Sequence, residues 1–206
     1  MRHFGILALR VTVGGYLAVH GAQKLFGHFD GPGLEKAGKG FEGMGLKPGK
    51  PFAALAATSE LTGGVLTAVG LGFPVSPIVI ASAMAVAITV HSEKGAMGQK
   101  GGYELPLTDM VAALTLAMTG PGRYSLDRIL PGRLPRRLVR LTVLGATGLS
   151  AYSASRVIGH RKATAAAASA PAEPAAPAQE QPAQEQPGPD PSSEQQAEVV
   201  ADPAAG

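Results

Sequence analysis

Apolar residues are concentrated in five segments that are separated by polar, glycine-rich stretches. The segments are residues 4–20, 52–72, 74–91, 103–119 and 138–158. A helix that crosses the hydrocarbon core of a bilayer needs about 20 apolar residues, with a range of roughly 17 to 25. The lengths of the five segments therefore predict helices that span, or nearly span, a membrane.

A soluble bundle with an alanine-rich core is the alternative, and the lack of polar stripes argues against it. Residues 81–90 are apolar almost all the way round a helix, and so are residues 111–118. Helices that are hydrophobic on every side are buried in a large core or in lipid, and 206 residues are too few to bury four of them in protein. We predict an all-α transmembrane four-helix bundle with up-down topology. Small residues at four-residue spacing, such as Gly64 and Ala68, predict close helix packing.

The connections and the composition divide the chain into three parts. Residues 24–50 form a polar loop with many glycines, and Gly120-Pro121-Gly122 ends the fourth segment abruptly. Residues 163–206 consist mainly of Ala, Pro, Gln and Glu and have no aromatic residue, a composition typical of disorder. The predicted domains are a transmembrane bundle (1–130), an arginine-rich loop with a fifth helix that either spans or is peripheral (131–162), and a disordered acidic tail (163–206).

The charge is distributed unevenly along the chain. All 18 basic residues and eight acidic residues precede residue 163, whereas residues 163–206 contain seven acidic residues and neither Lys nor Arg. Basic residues between hydrophobic segments usually set membrane topology, so we expect the lipid bilayer as a partner and no nucleic acid. The arginines after the fourth segment favour a cytoplasmic loop, but the lysines of the first loop favour the other orientation.

The chain contains no cysteine. Disulfides, thiolate metal sites, cysteine-ligated iron–sulfur clusters and cysteine nucleophiles are therefore excluded on this chain. We predict no metal site. Any redox chemistry would need electrons that reside on a bound cofactor or on a partner protein.

Ionisable residues within the predicted spans are candidates for function, because charges in lipid are costly and usually find partners. At 1.5 Å per residue, Arg10 lies about 15 Å below the face at which the first segment ends, and Glu60 about 12 Å below it. These depths predict a buried Arg10–Glu60 ion pair, which would either serve function or only select which helices pack together. Asp109 lies about 9 Å deep by the same rise and is a candidate relay.

Polar residues at three helix ends predict a funnel that opens at one membrane face. The candidate ligand-binding residues of this polar funnel are His20, Gln23, Lys24, His91 and Glu104. The alternative to ligand binding is that all five side chains only cap helix ends. Haem ligation by His20 and His91 is a further reading, although histidines at helix ends commonly act as caps.

Four groups of residues, in this order, resemble the DoxX family. They are Arg10 with His20-Gly21-x-x-Lys24, then Glu60-Leu61-x-Gly63-Gly64, then Glu104-Leu105-Pro106-Leu107, and finally Gly120-Pro121-Gly122-Arg123-Tyr124. The resemblance covers about residues 4–127. It implies a four-helix, multi-pass protein of the bacterial inner membrane, and a link either to thiosulfate:quinone oxidoreductase or to responses to oxidative stress.

Three functions are compatible with these observations. The first is a membrane subunit of a redox or oxidative-stress assembly that binds quinone and protein partners, at most one subunit of an oxidoreductase. The second is a small-solute or proton-coupled transporter, although no internal repeat is clear between the two halves of the bundle. The third is a non-catalytic scaffold that anchors partners in the membrane.

Overall fold

The computed structural model describes residues 1–130 and 134–169, and these residues form helices joined by turns and loops, without strands. The helices are α1 (Arg2–Phe26), α2 (Gly33–Gly43), α3 (Gly49–Val69), α4 (Val75–His91), α5 (Glu104–Thr119), α6 (Leu126–Ile129) and α7 (Arg136–Ser169). Two single turns of 3₁₀ helix, Ser92–Lys94 and Gly98–Lys100, follow α4. The predicted all-α fold is confirmed.

Three of these helices are long and apolar enough to cross a membrane: Arg2–Phe26, Gly49–Val69 and Val75–Lys94. Helix α5 has 16 residues, about 24 Å at 1.5 Å per residue, which is short of a hydrocarbon core of about 30 Å. Helix α7 is long, with 34 residues, but carries basic side chains in its first turns and again at Arg156, Arg161 and Lys162. The chain is therefore a membrane protein with three candidate spans by length and composition, and α5 and α7 pack against one of them, α4.

Helices α1, α3, α4, α5 and α7 alternate in direction between two faces. We call the face at which α1 begins the proximal face, and the face at which it ends the distal face. Helix α1 packs on α3, and α4 packs on α3, α5 and α7. Because Ser82 contacts Ser150 and Arg161 contacts Val90, α7 runs parallel to α4.

Glycines bring α1 and α3 unusually close together. A Cβ atom at Gly14 would lie 2.5 Å from the carbonyl oxygen of Gly64 and 2.7 Å from the amide nitrogen of Ala68. A Cβ atom at Gly21 would lie 2.6 Å from the carbonyl oxygen of Ala57. Such backbone approach is how membrane helices gain packing energy without a hydrophobic drive. The close packing predicted for the small residues of α3 is confirmed.

The core is small and is formed by α1, α4 and α5. Its buried residues are Val13, Leu17, Ile80, Ala81, Met84 and Ala113. Many large apolar side chains face outward, for example Val111, which is 54% exposed, and Leu144, which is 70% exposed. In a bilayer these exposed side chains contact lipid, so the apolar surface is consistent with the membrane environment.

Two predicted boundaries are wrong. The polar loop of residues 24–50 contains the helix α2, because Leu34, Ala37 and Phe41 recur at helical spacing and turn inward. The predicted tail begins at residue 163, but α7 continues to Ser169 through a run of alanines, the residue with the highest helix propensity. The disorder predicted for residues 170–206 lies outside the described residues, as do residues 131–133.

Candidate functional site

A cavity of about 730 Å³ lies between α3, α4 and α7, and it is closed on one side by the end of α2 and the loop that follows it. Its apolar walls are formed by Phe52, Leu55, Val86, Val90, Leu149 and Val157. Its charged and imidazole side chains are concentrated toward the distal face, and they are Lys24, Glu60, His91, Glu93, Lys94, His160 and Arg161. The cavity therefore has an apolar chamber and a charged end.

The cavity exists because α7 is attached to α4 and stands off from α3. Ser82 and Ser150 form a hydrogen bond of 2.9 Å halfway along α4. At the distal end Arg161 donates to the carbonyl oxygen of Val90 at 2.8 Å and pairs with Glu93 at 2.9 Å.

On the other side, the rings of Phe52 in α3 and Tyr152 in α7 stack with their centroids 6.3 Å apart. Helix α7 otherwise packs mainly on α4. The space that remains between α3 and α7 is the cavity.

Lys24 and Glu60 form the ion pair of this site. The ammonium of Lys24 donates to both carboxylate oxygens of Glu60 at 2.5 Å. The side chain of Glu60 is 6% exposed and that of Lys24 is 30% exposed. The pair connects the end of α1 to the middle of α3, and it places one buried carboxylate and one cation on the cavity wall.

The predicted Arg10–Glu60 ion pair is wrong. The guanidinium of Arg10 donates to the carbonyl oxygen of Pro121 at 2.8 Å and to that of Tyr124. Arg10 is 2% exposed and holds the loop after α5 against the proximal face. Glu60 pairs with Lys24 instead.

Helix length and side-chain direction explain this error. Helix α1 continues to Phe26, so the level of Glu60 is near residue 20, and Arg10 lies beside Gly70. The ten residues between these levels correspond to about 15 Å along the bundle. Side chains also tilt toward the N-terminus of their own helix. Arg10 and Glu60, on antiparallel helices, therefore lean apart, whereas Lys24 leans back toward Glu60.

His91 lies at the charged end of the cavity. Its Nδ1 atom is 2.7 Å from the carbonyl oxygen of Ala87. A carbonyl only accepts, so Nδ1 carries the proton, and in the neutral ring Nε2 keeps its lone pair. His91 can thus present Nε2 to a ligand in the cavity.

Three residues of the predicted polar funnel lie elsewhere. The carboxylate of Glu104 accepts from the backbone N–H of Gly98 at 2.9 Å. His20 contacts Gln23 at 3.1 Å, and Gln23 donates to the carbonyl oxygen of Phe29 at 3.4 Å. None of these three residues lines the cavity. The structure therefore brings together only Lys24 and His91 of the five, and the two histidines of the haem reading lie in different surroundings.

Asp109 lies in α5, away from the cavity, and is 4% exposed. Its carboxylate forms no hydrogen bond with the residues that the structure describes. The relay role of Asp109 stays a prediction.

Sequence reasoning missed the contribution of α7. Ser150, Ser153, Val157 and His160 line the cavity at spacings of three and four residues, the period of one helix face. This spacing was the available signal, since small and polar residues interrupt an otherwise apolar segment at that period. Ser153 is 4% exposed, and its hydroxyl has no hydrogen-bond partner within the described part of the chain.

Comparison with known proteins adds one finding. Residues 5–92 match the model of the DoxX family, and this range takes in α1 to α4 almost completely. No curated protein and no solved structure matches the chain. The cavity thus joins two helices inside the matched range, α3 and α4, to one helix outside it, α7.

Proposed function

Residues 5–92 match the DoxX family model, and from this match we propose that the chain is a DoxX-like membrane subunit of a redox or oxidative-stress assembly that binds a quinone in the cavity between α3, α4 and α7. The observation that carries the proposal is the form of this cavity. A quinone needs an apolar slot with a few polar groups at its carbonyl oxygens. The cavity has apolar walls, a charged distal end, and a volume of about 730 Å³.

The polar groups of the cavity fit a ligand with carbonyl oxygens, because several of them can donate a hydrogen bond. The ammonium of Lys24 has three protons and meets one carboxylate, that of Glu60. Ser59 and Ser153 line opposite walls of the cavity, and neither hydroxyl has a hydrogen-bond partner among residues 1–130 and 134–169. These groups would orient a quinone ring with its substituents toward the apolar chamber.

A bound quinone would supply two-electron chemistry that the side chains of this chain lack. The chain itself would hold and move protons. Glu60 and His91 both line the cavity, and a carboxylate and a free imidazole nitrogen are groups that can accept a proton in catalysis. The Lys24–Glu60 pair places a cation directly beside this carboxylate.

A protein partner completes the proposal. The chain has no cysteine, so thiol chemistry and iron–sulfur clusters would come from another subunit. The family resemblance suggests the bacterial inner membrane as the location. A scaffold without a ligand would need no cavity lined by polar groups, which is why the redox subunit is preferred here.

The test is quinone binding by the full chain purified in mild detergent. Mass spectrometry of an organic extract should find quinone, and added quinone should bind saturably. Ala56→Leu places a larger side chain in the cavity and should lower affinity about tenfold or more, the equivalent of about 1.4 kcal/mol. Thr58→Leu is the matched control, because Thr58 is exposed on the same helix and does not line the cavity.

The midpoint of thermal unfolding should stay the same in both variants. A protein that carries no quinone and binds none would overturn the proposal. Equal loss of affinity in both variants would place the binding site outside the cavity.

A further inference from the structure

A second, smaller cavity forms a groove on the distal face. It lies between the loop that precedes α3 and the last turns of α7, and its volume is about 370 Å³. The groove shares His160 with the lining of the larger cavity, and its other lining residues belong to the groove alone.

Small residues make the floor of the groove. Ser155, Gly159 and Ala163 follow one another at four-residue spacing, so they lie on one face of α7. A Cβ atom at Gly159 would meet nothing within 4 Å. The hydroxyl of Ser155 donates to the carbonyl oxygen of Tyr152 at 2.7 Å. The floor is therefore open and offers no free donor.

Basic residues make the walls. Lys47 comes from the loop, and Arg156 and His160 come from α7. The guanidinium of Arg156 donates to the carbonyl oxygen of Lys47 at 3.4 Å. Gly45 has a φ of +86° and packs against His160 so closely that a Cβ atom would clash with it. This contact holds the loop, and with it Lys47, beside α7.

The groove is cationic without a counter-charge. No Asp or Glu lines it, and α7 contains no acidic residue in its 34 residues. The ion pairs among the described residues are Lys24–Glu60, Lys50–Glu35 and Arg161–Glu93, so they involve neither Lys47 nor Arg156. A guanidinium and an ammonium together match the oxygens of a phosphate group.

The position of the groove selects a lipid rather than a soluble anion. Arg161 lies beside Val90, so the groove is level with the last turns of α4 at the distal end of the bundle. Tyr152, 52% exposed, and Ile158, 45% exposed, lie on α7 next to it. Aromatic residues are enriched at the level of lipid headgroups, and basic pockets at this level bind anionic headgroups. We propose that the groove of Lys47, Arg156 and His160 binds the phosphate of an anionic phospholipid whose acyl chains lie along α7.

The first test removes charge. The full chain in mild detergent is titrated with phosphatidylglycerol or phosphatidylcholine, and bound lipid is counted by native mass spectrometry. The double variant Lys47→Gln with Arg156→Gln should lower affinity for phosphatidylglycerol at least about tenfold, since hydrogen bonds to charged groups are among the strong ones. The control is Lys39→Gln with Arg140→Gln, which removes the same charges from exposed positions outside the groove.

The second test keeps the charge and removes the space. Gly159→Leu should fill the groove, and Gly148→Leu is its control, because a Cβ atom meets nothing within 4 Å at either glycine of α7. Loss of phosphatidylglycerol binding in both groove variants and in neither control supports the proposal.

Three outcomes would overturn the proposal of a phospholipid site. They are equal loss of phosphatidylglycerol binding in the controls, no preference for phosphatidylglycerol over phosphatidylcholine, and displacement of the lipid by millimolar inorganic phosphate. The last outcome would make the groove a site for the free anion.

Discussion

At the scale of single residues, two buried charges do different tasks although they lie on packed helices. Arg10 satisfies two backbone carbonyl groups near the proximal face, those of Pro121 and Tyr124. Glu60 accepts from Lys24 near the cavity. Each is buried because its partner compensates it, and the partner is the one toward which its helix tilts it.

Glu60→Gln should lower the free energy of unfolding by about 1–3 kcal/mol, because Lys24 loses its counter-charge but can still turn toward water. Lys24→Met combined with Glu60→Leu should recover much of this loss. Unfolding in detergent measures both. Glu35→Gln is the control, since the Lys50–Glu35 pair is exposed and should cost under about 1 kcal/mol. If the double variant were no more stable than the less stable single variant, the conclusion that Lys24 compensates the charge of Glu60 would be contradicted.

Arg10→Met should cost about 1–3 kcal/mol, because two carbonyl groups lose a charged donor in a buried site. Arg10→Lys should recover only part of this, since an ammonium is a point charge and lacks the fork of a guanidinium. Hydrogen exchange in residues 120–127 should speed up in both variants. Combined with Glu60→Gln, the effects should add, as the two groups lie about 15 Å apart; a large coupling energy would contradict the structure.

At the scale of helices, close contact between α1 and α3 depends on glycines that face each other. Gly14 and Gly64 are each within van der Waals reach of the other helix's backbone. The adjacent Gly15 meets nothing within 4 Å. Two neighbouring glycines of the same helix thus have opposite tolerance to a side chain.

Gly14→Ala should destabilise the protein by about 1–3 kcal/mol, because the new methyl group forces two backbones apart. Gly15→Ala should be neutral or stabilise by up to about 1 kcal/mol through helix propensity. The midpoints of thermal unfolding of the two variants, measured side by side, test this difference. Equal midpoints would mean that α1 and α3 are not packed as closely as described.

At the scale of the whole molecule, α7 turns a helical bundle into a protein with a cavity. Arg161 attaches its distal end to Val90, Ser92 and Glu93, and Thr164 and Ala165 extend the cavity wall beyond this clamp. Residues that composition assigns to a tail thus belong to the site.

Truncation after Ser169 should leave both the unfolding midpoint and quinone binding unchanged. Truncation after Ile158 removes Arg161 and should lower the midpoint and weaken quinone binding, because the end of α7 is then released from α4. If the chain truncated after Ile158 still bound quinone, the proposal that the cavity binds quinone would be contradicted.

The sequence by itself determined that this protein lies in a lipid bilayer, and it determined the positions of the main helices. Long apolar runs that end in glycine, proline or charge have few alternatives to membrane helices, so the all-α membrane fold could be predicted, and the ordered motifs indicated the DoxX match of residues 5–92. The site could be predicted only in part: Lys24, Glu60 and His91 were identified as candidates, but the partner of Glu60 was wrong.

Tertiary structure decided which polar residues meet. Depth along a helix depends on where the helix truly ends, and α1 extends six residues past the apolar segment. Contact also depends on the tilt of each side chain and on which helix stands beside it, and a hydrophobic pattern carries neither quantity. The cavity residues of α7 follow a helical period that the sequence shows. Whether they line a cavity depends on the attachment of α7 to α4 and its separation from α3, and only the tertiary structure fixes both.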